Sequence, residues 1–96
     1  MEEYSKALSR PEARHRYWHI PKSERSFFPE KFKIFKLAFD GDLYSLKVNH
    51  KDDIMTGQLY KRYRFLEGDI VIIKKKDDRN YTLTAPDTKL YPKIKS

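Results

Sequence analysis

Two short segments carry the side chains of this sequence that are best suited to chemistry. They lie at 10–16 and 49–51, and their residues of interest are Arg10, Arg14, His15, Arg16, Asn49, His50 and Lys51. An arginine guanidinium can bind O6 and N7 of guanine with two hydrogen bonds, and an asparagine amide can bind adenine in the same way. Two exposed loops with these residues would therefore have the right chemistry for the edges of nucleic-acid bases.

Further cations suit the phosphate backbone, whose contacts position a protein without reading sequence. They are Lys22, Arg25, Lys61, Arg62 and Arg64. For each of them the alternative is a solvated surface charge. Trp18 joins the candidate site because an aromatic ring can stack on bases, and Tyr60 and Tyr63 could do the same. The alternative for these three aromatic residues is a place in the hydrophobic core.

The overall charge favours a polyanionic partner. The 96 residues include 21 Lys and Arg against 14 Asp and Glu, which gives a net charge of +7. Such an excess favours nucleic acid, although a soluble domain with a lysine-rich surface would have the same composition. With 39% hydrophobic and 15% aromatic residues the chain can bury one core, which excludes wholesale disorder.

The absence of cysteine excludes disulfides and thiolate metal sites, and it favours an intracellular protein. No apolar run approaches the roughly 18 residues of a membrane span. The first residues are polar and charged, unlike a signal peptide. We therefore expect a protein of the cytoplasm, or of the nucleus in a eukaryote, without a membrane partner.

Catalytic residues are not evident. A nuclease needs clustered carboxylates that hold a divalent metal, but Asp40 and Asp42 flank a glycine and are typical of a turn. Glu67 and Asp69 flank a second glycine. His15 and His19 have the spacing of a helical metal pair, yet no third ligand follows. We expect no catalytic residue, metal site or cofactor, and hence a binding domain without enzymatic activity.

The elements that must position these side chains centre on 17–29. Tyr17 to Ile20 is aromatic and β-branched, which predicts a half-buried strand that Pro21 ends. A short helix follows, with Ser23 as a possible cap, Phe27 and Phe28 as its apolar face, and Pro29 as its stop. The preceding segment at 10–16 has almost no apolar residue, so we interpret it as an exposed loop or arm.

Asp40-Gly41 predicts a two-residue hairpin loop that pairs Leu37 with Tyr44 and Phe35 with Leu46. A loop one residue later would place Lys36 opposite Lys47, and like-charge repulsion disfavours that register.

The later elements are predicted from the same patterns. Ile54 to Leu59 is predicted to be a strand, and Leu66 to Asp69 a turn. The continuously apolar Ile70 to Ile73 indicates a strand covered on both sides, and the alternation of Tyr81, Leu83 and Ala85 indicates the returning strand.

Ile20-Pro21-Lys22, followed by a polar turn and Phe27-Phe28-Pro29, resembles the B3-type DNA-binding pseudobarrel. This family occurs in plant transcription factors and as the recognition domain of certain type II restriction endonucleases. Leu66 to Ile72 is similar to the family's Gly-Asp turn before a buried strand, and the likeness covers roughly Tyr4 to Ala85. It implies a mostly β fold, an open pseudobarrel of about seven strands with one or two short helices. Residues 1–85 would form the DNA-binding domain and 86–96 a tail or linker.

The resemblance also implies two arms that grip the major groove, at 10–16 and 49–53. The sequence departs from the family in two places. Val48-Asn49-His50 stands where plant members have a Trp-Asn-Ser arm, and the glycines that often precede Ile-Pro-Lys in the restriction-enzyme members are missing. Asp52 and Asp53 close the second arm, where they could accept from cytosine N4 or repel phosphate.

Together these features predict a sequence-specific duplex DNA-binding module, the recognition domain of a restriction endonuclease with any nuclease domain elsewhere in the parent chain. The predicted contact residues are Arg10, Arg14, His15, Arg16, Trp18, Lys22, Arg25, Asn49, His50, Lys51, Lys61 and Arg62. The alternatives are a β-barrel that binds RNA or single-stranded DNA through exposed aromatics, and a protein-interaction adaptor with incidental basicity.

Overall fold

A computed structural model of the protein describes residues 2–86 and 88–90. The strands of this part are β1 (Glu3–Ala7), β2 (Tyr17–His19), β3 (Phe35–Phe39), β4 (Asp42–Leu46), β5 (Asp53–Met55), β6 (Tyr63–Arg64), β7 (Ile70–Asp77), β8 (Asn80–Thr84) and β9 (Lys89–Leu90). The helices are α1 (Arg10–His15), a 3-10 helix (Lys22–Phe27) and α2 (Gly57–Tyr60).

Five strands form the main sheet in the order β1-β7-β8-β3-β4, in which only β3 and β8 run parallel. The β2 and β5 strands form a separate antiparallel ribbon, and β6 pairs with β9. The predicted mostly β fold is confirmed, and the described residues form no closed barrel. They contain more strands than the sequence predicted because β6 and β9 are only two residues long.

Local turn chemistry accounts for the hairpin that joins β3 and β4. Asp40 and Gly41 have φ angles of 53° and 84°, as the predicted two-residue loop requires. The register pairs Leu37 with Tyr44 and Phe35 with Leu46, which confirms the prediction. The turn before β7 is confirmed as well. Gly68 has a φ of 88°, and the Asp69 carboxylate accepts a hydrogen bond from the Leu66 N–H at 2.9 Å.

One aromatic-rich core holds the elements together. The rings of Phe27 and Phe28 each lie 5.6 Å from the ring of Tyr81, whose hydroxyl donates to the Phe27 carbonyl at 2.7 Å. The 3-10 helix thus packs on the main sheet, and it ends before Pro29 as predicted.

The prediction that both faces of β7 are covered was wrong. Val71 and Ile73 are buried, whereas Ile70 is 36% exposed. Side chains on a strand point alternately to opposite faces. Continuous apolarity therefore did not distinguish a strand with one buried face from a strand with two.

Three local predictions need correction. The segment at 10–16 is a helix with a left-handed cap residue, because Ser9 and Glu12 form a capping box that the sequence analysis overlooked. Ser23 does not cap the 3-10 helix, whose N-cap residue is Pro21. The strand predicted at Ile54 to Leu59 ends at Met55, and α2 follows it.

The predicted tail reaches beyond the described residues, since Asp87 and 91–96 lie outside them. Within the described part, no helix is long and apolar enough to span a bilayer.

Glu12 fixes α1 to the rest of the domain. Its buried carboxylate forms an ion pair with Lys6 of β1, and it accepts hydrogen bonds from the backbone N–H of Ser9 at 3.0 Å and of His19 at 2.7 Å. Lys6 in turn donates to the His19 carbonyl at 2.9 Å. The two charged side chains therefore satisfy the edge of β2 that faces away from β5, as a neighbouring strand would.

A second set of hydrogen bonds joins α1 to α2. The Tyr60 hydroxyl donates to the Glu12 carbonyl at 3.0 Å and accepts from the Trp18 indole N–H at 3.1 Å. Burial raises the pKa of Tyr60 to about 12, so the hydroxyl keeps its proton and can donate at neutral pH. The end of α1, the start of β2 and α2 thus share one buried polar network.

We predict that Glu12→Gln destabilises the domain by about 3 kcal/mol, because it leaves Lys6 without its partner in a partly buried site. Burial raises the pKa of Glu12, but the hydrogen bonds from Lys6, Ser9 and His19 outweigh burial and lower it below 4.5. A lowered pKa in the folded state stabilises the fold above the unfolded-state pKa, and this stabilisation is lost as the pH falls through the folded-state value.

Urea unfolding of the wild type and Glu12→Gln over a pH series measures the gap between their free energies of unfolding. The gap should be widest above about pH 5 and close progressively at lower pH. Glu3→Gln, an exposed change on β1, is the matched control and should show a small gap. A gap for Glu12→Gln that stays constant with pH would show that the ionised carboxylate of Glu12 does not stabilise the fold.

Candidate nucleic-acid interface

The β2–β5 ribbon brings the two predicted arm segments into one structure. Its register pairs Tyr17 with Met55, Trp18 with Ile54 and His19 with Asp53. At one end the Thr56 N–H donates to the Arg16 carbonyl at 3.0 Å, and at the other the Ile20 N–H donates to the Asp52 carbonyl at 2.8 Å. Helix α1 therefore leads into one end of the ribbon, and the loop at 49–52 lies at the other end.

The ribbon has a buried face and an outer face. Trp18 and Ile54 are each 1% exposed and pack into the core. Their neighbours in sequence point to the opposite side. His19 and Met55 are exposed there, and Tyr17 is half-buried. This outer face lies between the two arm segments, and we refer to the face and both segments together as the ribbon surface.

The first segment presents cations without described acidic partners. Arg10, Arg14, His15 and Arg16 are all exposed, and no described carboxylate pairs with any of them. Arg16 is the cap residue of α1, with φ 61° and ψ 47°. This left-handed conformation favours glycine, so an arginine at this position carries a conformational cost.

The second segment is a loop that Asn49 organises. The Asn49 Oδ1 atom accepts hydrogen bonds from the backbone N–H of Lys51 at 2.9 Å and of Asp53 at 3.1 Å. Adenine recognition needs this same oxygen together with the amide nitrogen. Asn49 therefore supports the loop in this conformation, and its contact with adenine stays a prediction. His50 and Lys51 are exposed on the loop.

Every acidic residue in the two segments is paired within the domain. Glu12 pairs with Lys6, and Asp53 lies 2.7 Å from the Nδ1 atom of His19. Asp52 lies 3.3 Å from Arg25 Nε and 3.5 Å from Lys31 Nζ. Glu12 and Asp52 thus pair with cations and Asp53 is hydrogen-bonded to His19, while cations at 10–16 and Lys51 remain exposed.

The remaining predicted residues fall into three groups. Lys22 and Lys61 are exposed and have no described acidic partner. Arg25 binds the Asp52 carboxylate and donates to the Pro29 carbonyl at 2.8 Å, so it holds the 3-10 helix to the loop. Arg62 pairs with Asp42, and its guanidinium carbon lies 5.8 Å from the centre of the Tyr63 ring.

Trp18 does not belong to the ribbon surface. It is buried, and its indole N–H is bound to Tyr60. No described group of three His, Asp or Glu residues could hold a metal, and His15 and His19 lie on different elements.

The structure places His19 on the ribbon surface, whereas the sequence suggested half of a metal pair or, more simply, a solvated or stacking side chain. The signal that could have identified it is strand alternation. With Trp18 buried, Tyr17 and His19 must point outward. Its pairing with Asp53 could not be inferred, because the two residues are 34 positions apart.

The fold is similar to that of the N-terminal domain of Helicobacter pylori LlaJI.R1, with a TM-score of 0.70 at 12% sequence identity. The match covers 88% of this chain and 87% of that chain. At this identity the likeness concerns the fold alone. A scan against protein-family models found no match, and a search of curated proteins also found none.

We predict that Asn49→Ala destabilises the domain by about 1–2 kcal/mol, because two backbone N–H groups lose their acceptor. Asn49→Asp keeps both acceptors and should be less destabilising. Hydrogen exchange of the Lys51 and Asp53 amides should accelerate in Asn49→Ala only. Equal stability and equal protection of these amides in Asn49→Ala and wild type would show that Asn49 does not support the loop.

Proposed function

We propose that this domain binds duplex DNA sequence-specifically through the ribbon surface. The observation that supports this best is the asymmetry of charge. The acids of both arm segments are paired within the domain, whereas Arg10, Arg14, Arg16 and Lys51 are exposed without described acidic partners. Such a surface attracts phosphates and retains guanidinium groups for base edges.

The dimensions of the ribbon suit the major groove, which is about 12 Å wide and admits a two-stranded ribbon. Strands rise about 3.3 Å per residue, so the backbone from Arg16 to His19 spans about 10 Å. In the proposed complex the outer face of β2 and β5 faces the base edges in the major groove. Helix α1 and the loop at 49–52 contact the two sides.

The proposed roles follow from exposure and from existing partners. Arg16 reads a base in this proposal, because it is exposed, has no described acidic partner and directly precedes β2. Other exposed cations hold phosphates, namely Arg10, Arg14, Lys22, Lys51 and Lys61. Arg25 and Asn49 instead support the second loop from within.

The parent protein in this proposal is a restriction endonuclease or a bacterial relative, and this domain is its recognition module. Two observations support it: the motifs at 20–29 and 66–72, which resemble the B3-type family, and the similarity in fold to the N-terminal domain of Helicobacter pylori LlaJI.R1.

The module binds without cutting, in this proposal, because three of the four candidate carboxylates already have structural contacts. Asp40 accepts from the Tyr63 hydroxyl at 2.9 Å, Asp42 pairs with Arg62, and Asp69 caps the turn before β7. The burial of Trp18, Tyr60 and Tyr63 weighs against the single-strand alternative, which needs exposed rings.

We predict opposite effects of Arg16→Gly on stability and on DNA binding. Glycine relieves the left-handed conformation and should stabilise the fold by about 1 kcal/mol. Loss of the guanidinium should weaken binding to the preferred duplex by about 1–3 kcal/mol and relax preference at one base pair. Thermal unfolding and titration of fluorescent duplexes measure the two effects. Unchanged binding to every duplex would remove Arg16 from the proposed site.

Lys61→Ala is the comparison variant in the same titrations. It should weaken all duplexes about equally and reduce the magnitude of the salt slope by about 0.9, the value for one phosphate contact. The wild type should prefer duplex over single strand of equal length. A flat salt response, or tighter binding to single strands, would contradict the proposed function.

A further inference from the structure

His19 lies on the outer face of the ribbon, at the end next to the loop at 49–52, and its neighbour Asp53 determines its hydrogen-bonding chemistry. Its Nδ1 atom lies 2.7 Å from Oδ1 of Asp53, and the side chain of His19 is 54% exposed while that of Asp53 is 16% exposed. An ionised carboxylate can only accept, so Nδ1 must carry the hydrogen of this contact. The other ring nitrogen, Nε2, is then a hydrogen-bond acceptor in the neutral imidazole.

The backbone that carries this ring is fixed on both sides. The His19 N–H donates to Glu12, and its carbonyl accepts from Lys6, while β5 pairs with the opposite edge of the strand. The charged groups that face His19 are therefore Asp53 on β5, Glu12 on α1 and Lys6 on β1. A ring held in this way loses little freedom when a ligand binds.

We propose that His19 is a base-reading residue of the same interface, an inference that rests on the proposed function. Neutral His19 would accept at Nε2 from an exocyclic amino group, which in the major groove belongs to adenine N6 or cytosine N4. Asp53 is a positioning residue, since it selects the nitrogen that accepts. A protonated Nε2 would be a donor, which cannot accept from an amino group and instead matches the major-groove acceptors of guanine, adenine and thymine.

The test is selection from randomised duplex DNA, followed by sequencing and affinity measurement, at pH values of about 8 and about 5.5. At the higher pH the wild type should enrich adenine or cytosine at one position where His19→Ala shows no preference. Sequencing distinguishes the two bases. Affinity for the selected duplex should fall roughly threefold to tenfold in His19→Ala, the loss of about one hydrogen bond. Binding to unrelated duplexes should not change.

Two further variants separate base reading from a structural role. At the lower pH the wild type should lose its preference for an amino-bearing base at that position, because a donor at Nε2 fits the acceptors of guanine, adenine and thymine alike. His19→Gln should show the same preference at both pH values, because an amide does not titrate. His15 and His50 remain in this variant, so it controls for their protonation. Asp53→Asn should weaken the preference and blunt its pH dependence, because an asparagine amide can face Nδ1 with its oxygen or its nitrogen. Lys76→Ala, an exposed change on β7, should match the wild type.

The outcomes distinguish this inference from the proposed function. A wild type that retains no duplex in the selection would refute the proposed function and this inference with it. A wild type with clear preferences that His19→Ala and His19→Gln reproduce at every position and both pH values would refute this inference alone. An unchanged pH profile in Asp53→Asn would show that Asp53 does not position His19.

Discussion

The ribbon surface depends on the ion pair and the hydrogen bonds that the buried carboxylate of Glu12 forms. A two-stranded ribbon is marginal in water by itself, and none of the described strands pairs with β2 on the side away from β5. Glu12 and Lys6 occupy that side with charged hydrogen-bonding groups, which bind the N–H and carbonyl of His19. The same carboxylate completes the capping box of α1. One side chain thus fixes the orientation of the helix, the edge of the ribbon and the backbone of His19.

The consequence for function is a separation of charge within a small domain. Glu12 and Asp52 pair with cations of other elements, and Asp53 is hydrogen-bonded to His19 of β2, so all three carboxylates stabilise the arms by connecting elements. Arg16 and Asp52 occupy left-handed conformations that favour glycine, with φ angles of 61° and 60°. Asp52 has a contact with Arg25 that offsets this cost, whereas the side chain of Arg16 has no described acidic partner. A side chain retained at a cost to stability, on an exposed surface, is typical of a binding residue.

Sequence patterns predicted the parts of the fold that depend on residues close together in the chain. Asp40-Gly41 specifies a hairpin loop, and repulsion between Lys36 and Lys47 selects its register, so both were correct. Helix α1 was missed because six residues with Pro11 and few apolar side chains form a helix only when the capping box and the contacts of Glu12 support it. Other contacts join residues far apart in sequence, namely the pairing of β2 with β5 and the contact of His19 with Asp53. The spacing of apolar residues along the chain does not predict such contacts. The same limit explains Asn49 and Arg25, whose side-chain types suit DNA but whose partners lie inside the domain.

In the proposed function duplex DNA meets the ribbon surface, with phosphate contacts at Lys22 and Lys61, and does not meet the lysine-rich β7–β8 hairpin. NMR titration of the isotopically labelled domain with a selected duplex tests it most directly, because each backbone amide reports separately. We expect saturable chemical-shift changes of backbone amides concentrated at 10–19 and 49–55, with little change on the lysine-rich β7–β8 hairpin. Shifts concentrated at Lys74, Lys75 and Lys76, or a weak uniform response that does not saturate, would contradict it.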